Sequence, residues 1–418
     1  VPADHAGPAE LLRLKSEYLL PCVYPFFRNP PQIVRGEGSY LFDHEGKRYL
    51  DCVTGVTVMS AGHCNPQIIE PAIEQIRTLG HTTSIFLTEP VLRLAEKLAQ
   101  ITPGEPGAAA KLKRSFFCAS GSEAVEGALL LATLHTHRRE VIALTNGLHG
   151  RTKAAMSATG LAMWRTDPFP LATIHHVPFG DTHALADAMS RLGGRVAAVI
   201  GEPIQGNGGI NIPPDDYWPA ARRLTSAHGA LLILDEIQTG FNRTGRRFAC
   251  EHWGVVPDVL VMSKAIANGF PIAAFITTDA IAQAYTRPGA STYGGNPVCA
   301  AAALATIDFH ERHDLAAHAA EHGKHLLREL HALAAMFPFL ASPRGRGLML
   351  AVDVVLPGGG ADPARCDRII ESLKDRGVLI AKTGPQRNAL TLLPPLTITP
   401  AEIGELIHAL QQTLGNIT

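Results

Sequence analysis

Short apolar runs that end abruptly in polar groups mark the middle of the chain. Leu231-Leu232-Ile233-Leu234 leads straight into Asp235-Glu236-Ile237-Gln238-Thr239-Gly240, and Val259-Leu260-Val261-Met262 into Ser263-Lys264. An apolar run of this length reads as a strand buried on both faces, as in a parallel sheet. The candidate strands are 114–118, 141–145, 196–202, 230–235, 259–263 and 272–277, with helical stretches between most of them. That alternation predicts a parallel sheet covered by helices.

The flanks read differently. Residues 9–20, closed by Pro21, and the segments 66–80 and 89–101 carry helical periodicity, and 39–51 reads as two strands around a Glu45-Gly46 turn. The Pro-rich piece 24–31 is expected as an extended, packed loop. Past an Ala-rich helix at 297–312, helices at 315–335, 363–376 and 400–414 mix with strands at 347–353, 378–381 and 389–393, and Gly358-Gly359-Gly360 reads as a surface loop. The fold class expected is α/β: a mostly parallel central sheet with a smaller α+β domain from both termini. The division expected is an N-terminal segment 1–64 contributing to the small domain, a large domain 65–305 and a C-terminal small domain 306–418.

The chain has 418 residues, 46% of them hydrophobic, enough for a large core and more than one domain. A formal net charge of −1 lacks the basic excess of a nucleic-acid binder. Seven cysteines without a CxxC pair suit reduced thiols, no apolar run approaches a membrane span, and Val1-Pro2-Ala3-Asp4-His5 has no signal-peptide character. A cytoplasmic protein with no membrane and no nucleic-acid partner is expected. No metal site is expected either: HExxH is absent, and His175-His176 lies in a strand-like segment where a structural role is the simpler reading.

In open α/β sheets, ligands sit at the carboxyl ends of the strands. Asp235 and Lys264 are therefore delivered to one crevice. A Lys there is costly unless paired or bonded. A Schiff base to an aldehyde cofactor relieves that cost, and an acid beside a pyridinium nitrogen suits the same cofactor. For either residue alone, a solvent-facing strand end is the plainer reading; the pair argues against it. Cys118-Ala119-Ser120-Gly121-Ser122-Glu123-Ala124, between a strand and a helix, is either a phosphate site at a helix N-terminus or an ordinary capped turn. Arg151, in the loop 145–152, is either a bidentate partner for a carboxylate or phosphate or a surface residue. The loop 291–297 could reach a phosphate or simply cap the next helix.

In their joint order, these and other motifs resemble the class III (ω-amino acid) aminotransferases of the fold type I pyridoxal-phosphate enzymes, over nearly the whole chain. They include Gly62-His63-Cys64-Asn65-Pro66, Ser120-Gly121-Ser122-Glu123-Ala124, His149-Gly150-Arg151-Thr152, Glu202-Pro203-Ile204-Gln205-Gly206, Asp235-Glu236-Ile237-Gln238-Thr239-Gly240-Phe241, Ser263-Lys264-Ala265, Gly294-Gly295-Asn296-Pro297 and Pro394-Pro395-Leu396. The resemblance implies pyridoxal 5'-phosphate held by Lys264 as a Schiff base, with Lys264 also shuttling the proton. It implies Asp235 at the pyridine nitrogen, Gln238 at the phenolic oxygen, Ile237 on one ring face, and Gly121 and Ser122 at the phosphate. Leu148, His149 and Glu202 join the cofactor-binding set. Thr292 would reach the phosphate of a neighbouring subunit, so a homodimer or dimer of dimers is implied. Phe86, Arg151, Thr391 and Arg387 are the candidate substrate residues.

Three positions depart from the pattern. Leu148 stands where an aromatic usually stacks on the ring, Thr391 where many members carry the Arg for the substrate α-carboxylate, and Asn207 where that Arg has its resting Glu partner. The paired loss is coherent, because a buried Glu without its Arg would be an uncompensated charge. Within the family, His81-Thr82-Thr83-Ser84-Ile85-Phe86 and Gly384-Pro385-Gln386-Arg387-Asn388 bring the chain nearest the alanine–glyoxylate type and the phospho-lyases of amino-alcohol phosphates. The implied reaction moves an amino group from an amine or amino acid donor to a small 2-oxo acid such as pyruvate or glyoxylate. Phosphate elimination, or racemisation or epimerisation of an amino acid, would use the same apparatus.

Overall fold

The computed structural model describes residues 6–417 apart from 24, 105, 106 and 109; residues 1–5 and Tyr24 of the Pro-rich piece lie outside the described residues. Its centre is a seven-stranded sheet. The strands, in chain order, are β1 (Arg114–Cys118), β2 (Glu140–Leu144), β3 (Ile174–Val177), β4 (Val196–Gly201), β5 (Leu231–Asp235), β6 (Val259–Met262) and β7 (Ala273–Thr277). They lie side by side as β1-β7-β6-β5-β4-β2-β3. Every residue of β2, β4, β5, β6 and β7 is buried, which is why their sequences are apolar without alternation.

Two features differ from the sequence expectation. The strand β7 runs antiparallel to both neighbours. A parallel connection needs a crossover of about a dozen residues or more, usually a helix. The link from Met262 to Ala273 holds only a short 3-10 turn at Lys264–Ala267, too little to carry the chain back. The second is β3, an added edge strand containing His175 and His176. Both histidines are structural there: His175 Nε2 bonds Glu140 at 2.7 Å and His176 Nε2 the Ala158 carbonyl at 3.2 Å.

The helix Pro297–Arg312 packs on Pro66–Thr78 and Glu89–Ile101. Two smaller sheets flank the centre. In one, Ile33–Glu37, Tyr40–Asp43 and Arg48–Asp51 form an antiparallel meander completed by Val378–Leu379, parallel to Arg48–Asp51. N-terminal and C-terminal chain thus share one sheet. The other orders Leu340–Arg346, Met349–Val354, Ala389–Leu392 and Ala381–Thr383, all antiparallel. The Pro-rich piece is largely exposed rather than packed: Phe27 rests against the core, and the Arg28 and Asn29 amides donate to Glu371. The helix Pro8–Tyr18 buries none of its residues.

Candidate active site

The strands β5 and β6 are parallel neighbours, so Asp235 and Lys264 leave the sheet at the same edge. Asp235 is almost fully buried, and its bonds fix its direction. One oxygen accepts the Ile237 amide at 3.1 Å, and the other meets His149 Nδ1 at 2.7 Å. His149 is itself buried; its amide donates to Thr159 Oγ1 at 3.0 Å, and its Nε2 has no partner. Burial works against a charged His149 ring, but the bond to Asp235 and its charge outweigh burial and raise its pKa. Asp235 therefore faces the cleft with a bonded imidazole behind it.

Lys264 has φ +50°, a left-handed conformation that costs a non-glycine residue about 1–2 kcal/mol. Burial lowers its pKa against the pull of Glu202 and Asp235. Glu202 joins two loops: one oxygen accepts the Leu148 amide at 2.9 Å and the other the Gly206 amide at 2.9 Å. Burial pushes its pKa up to about 7. Gly206 has no room for a side chain, since a Cβ would sit 1.8 Å from Gln238 Oε1. The loop thus passes close to the Gln238 amide.

Opposite, Ser120 and Glu123 form a capping box at the start of the helix Gly121–Thr136. The first turn of a helix leaves its N–H groups without intrahelical partners, a ready site for an anion. A Cβ on Gly121 would lie 2.8 Å from Ile237, so this turn lies against the side chain two residues after Asp235. Ser122 Oγ accepts the Arg151 amide at 3.1 Å, and Gly150 (φ +142°) fits against Ser122 only without a side chain. These features fit pyridoxal phosphate: a helix N-terminus at Gly121-Ser122 for the phosphate, a buried lysine for the aldehyde, and a buried carboxylate backed by an imidazole for the ring nitrogen.

Pairwise approaches link these residues: Lys264 feels the charges of Glu202 and Asp235, Glu202 bonds the Leu148 amide, Asp235 bonds His149 and the Ile237 amide, Gly121 lies against Ile237, Gly206 against Gln238 and Gly150 against Ser122. The structure does not bring in the others equally. Thr292 and Phe86 are exposed. Arg151 is exposed, its amide on Ser122. Thr391 is fully buried inside its strand, its hydroxyl 2.7 Å from Thr383 Oγ1. Arg387 lies over the Phe26 ring at 5.9 Å.

Sequence reading passed over two elements. Glu126, one turn beyond Ser122, accepts the Thr152 hydroxyl at 2.6 Å and the Ala154 and Ala155 amides, so it caps the helix Lys153–Ala158 from a neighbouring helix. Only its spacing from Ser122 hinted at this. The other is a left-handed turn, Thr54 to Thr57, with φ of 52°, 59°, 63° and 63°. Asp51 accepts the Val53 and Thr54 amides, and the Thr54 hydroxyl donates to the Leu393 carbonyl just before Pro394-Pro395.

Comparison with known proteins agrees with this geometry. The family profile of aminotransferase class-III matches residues 28–414. A curated Arabidopsis thaliana protein, alanine–glyoxylate aminotransferase 2 homolog 2, mitochondrial, is 37% identical, covering 100% of this chain and 90% of its own length. An acetylornithine aminotransferase of Mycolicibacterium smegmatis is 39% identical over 92% of this chain and 94% of its own. Among solved structures, a Bacillus anthracis aminotransferase superposes with a TM-score of 0.91 at 30% identity, covering 98% of both chains. With the Asp235–His149 pair, the strand-end lysine and the glycine cradle already in place, the chain belongs to the class III aminotransferases, pyridoxal-phosphate-dependent enzymes of fold type I.

Proposed function

We propose that the enzyme transfers an amino group from an amine or ω-amino acid to a small monocarboxylic 2-oxo acid such as pyruvate or glyoxylate. The observation that carries this reading is Thr391, neutral, fully buried and bonded to Thr383. Asn207 is neutral too, and its carbonyl accepts the Gly384 amide at 2.9 Å. Arg344 reaches the same loop at the Gly209 carbonyl but is paired with Asp353 at 2.8 Å. A dicarboxylate acceptor needs a second cationic anchor, and these positions supply none.

Bound pyridoxal phosphate supplies an aldehyde for amino groups and a ring that draws electrons from the attached carbon. The chain's own residues do the rest. Asp235, backed by His149, holds a proton at the ring nitrogen. Gln238 would contact the ring oxygen, and Ile237 and Leu148 would pack on the ring. Gly121 and Ser122 take the phosphate. Lys264 would hold the cofactor's aldehyde and would move a proton at the substrate carbon; its lowered pKa favours the neutral amine that this needs.

A homodimer or larger assembly is part of the proposal. Ile85, Phe86 and Leu87 are 82%, 66% and 90% exposed, and Thr292 lies exposed beside Tyr293, itself 67% exposed. Such an apolar patch is expected at a contact between subunits, and the contact would carry Phe86 and Thr292 to the neighbour's cleft. The domain division at 64/65 and 305/306 is kept, the helix Pro297–Arg312 running across the second boundary. A reducing, cytoplasmic setting is supported by seven unpaired cysteines; no helix among the described residues is long and apolar enough to cross a membrane.

The test is a panel of amines, ω-amino acids and amino-alcohol phosphates incubated with and without pyruvate, measuring keto product, ammonia and phosphate. Pyruvate-dependent keto product is expected. Release of ammonia and phosphate without an acceptor would replace transamination with elimination as the main reaction.

A further inference from the structure

A cavity of about 370 Å³ lies between the turn after β5 and the C-terminal part of the chain, lined by Thr244, Arg246, His252, Lys324 and Arg346 among others. Three cations and a histidine face one space, and no carboxylate lines it among the described residues. Arg346 stacks 4.9 Å over the Trp253 ring and meets Asp215 at 3.2 Å, but Asp215 is 90% exposed, so that pair is screened and weak. Arg246 and Lys324 are exposed and make no ion pair among the described residues. Glu251 lies close by and feels Arg247 and Arg246. Glu311, the other acid of this region, is taken by Arg247 and Lys97.

The surroundings behave as a positive site. His252 donates from Nε2 to the Thr244 carbonyl at 3.1 Å, yet its pKa falls to about 4, first through burial and then through Arg346 and Arg246. The walls are stiff. Gly245 lies against Ala320, and Gly323 against the Gly347 carbonyl, each closer than a side chain would allow. Gly347 in turn packs on the Arg243 and Thr244 backbone. Arg243, three residues before Arg246, is buried and donates to the Leu348 and Pro394 carbonyls at 2.9 and 2.6 Å. The cavity therefore lies beside the joint that ties Arg243 to Leu348 and Pro394.

We propose that this cavity is a binding site for a small phosphate-bearing anion, which bridges Arg246 to Lys324 and Arg346 and braces that joint. Its volume falls in the ordinary range for small-molecule pockets, roughly 300–1,000 Å³, and paired guanidinium groups suit phosphate oxygens. The site is separate from the phosphate cradle at Gly121-Ser122.

The test is calorimetric titration of the cofactor-loaded enzyme at constant ionic strength, with inorganic phosphate in one arm and glycerol 3-phosphate in the other. Saturable binding of one anion per chain is expected, weakened at least roughly tenfold in Arg246→Gln and in Lys324→Gln, with Arg246→Lys recovering most of it. Both side chains are exposed, so neither change should unfold the protein. Tighter binding of the ester assigns the remaining volume to an organic group, and equal binding assigns the site to free phosphate. Absence of saturable heat, or affinity unchanged in the Arg246→Gln, Lys324→Gln double variant, overturns the proposal. So does an equal rise in melting temperature with potassium chloride at matched ionic strength.

Discussion

The two sides of the cleft are built on opposite plans. On the cofactor side, polar side chains are tied to backbone: Asp235 to the Ile237 amide, Glu202 to Leu148 and Gly206, His149 to Thr159. On the acceptor side, the positions where charge is usual in the family hold Asn207 and Thr391, and the arginines nearby have other partners: Arg344 its Asp353, Arg387 the Phe26 ring. The first side resembles a preorganised electrostatic frame, in which fixed dipoles and charges need no rearrangement during reaction. The second is neutral at Asn207 and Thr391. On the proposed function, chemistry and acceptor choice are set by different residues, and each is then open to change without the other.

The sharpest way to break the comparison is Lys264→Ala. Multiple turnover should vanish while the melting temperature and the far-ultraviolet circular dichroism stay near wild type, because a strand-end side chain is lost and no core contact. Sustained turnover with native substrate would remove Lys264 from the mechanism.

Next in size is a pH effect within the rigid side. Glu236, beside Asp235, is fully buried and accepts the Ala249 and Cys250 amides and the Thr239 hydroxyl, yet burial pushes its pKa up to about 7, as for Glu202. A folded-state pKa raised above the unfolded value means the folded chain holds the extra proton. The stabilisation is complete below about pH 4.5 and is lost as pH rises through about 7. At 1.36 kcal/mol per pH unit this amounts to about 3 kcal/mol for Glu236. Glu236→Gln should flatten the fall in apoenzyme stability between pH 5 and 7, measured by urea midpoints; an unchanged slope would place the titration elsewhere.

Acceptor choice sharpens the neutral side. Pyruvate or glyoxylate should exceed 2-oxoglutarate in kcat/KM by at least roughly tenfold, about 1.4 kcal/mol. Arg387→Ala separates two explanations of any residual 2-oxoglutarate activity: loss of that activity would make Arg387 the second anchor, and its survival would show that Thr391 does not limit the choice. Thr391→Arg should lower stability rather than restore the dicarboxylate, since Thr391 has no exposed surface and a larger group there overpacks a full site.

The smallest effect tests the contact between the two sides. Leu148→Phe should slow loss of the cofactor, followed by its absorbance after dilution, by an amount matching about 0.5–1.5 kcal/mol of aromatic pairing. Faster loss would mean that the Glu202–Leu148 bond positions the backbone for leucine alone.

Much of the cofactor side could be read directly, because its residues sit at strand ends whose apolar runs are themselves the signal. Leu231 to Asp235 and Val259 to Lys264 are local patterns, and a buried strand delivers its last side chain to a known edge of the sheet. The acceptor side could be read only as substitutions. That Thr391 is sealed within its sheet depends on Thr383, eight residues earlier and one strand away. The left-handed turn at Thr54–Thr57 also escaped, because β-branched residues disfavour that conformation locally, and Asp51 and the distant Leu393 carbonyl help to hold it.

The class of sheet was legible along the chain, since it follows from short-range periodicity, and so were the strand-end residues Asp235 and Lys264 proposed to carry the chemistry. Tertiary structure alone decided the capping of Lys153–Ala158 by Glu126 and the meeting of Arg246, Lys324 and Arg346 around one cavity. The physical reason is distance along the chain. Those groups come from elements separated by tens of residues, no local pattern records their approach, and their charges and hydrogen bonds acquire meaning only when packing removes the water between them.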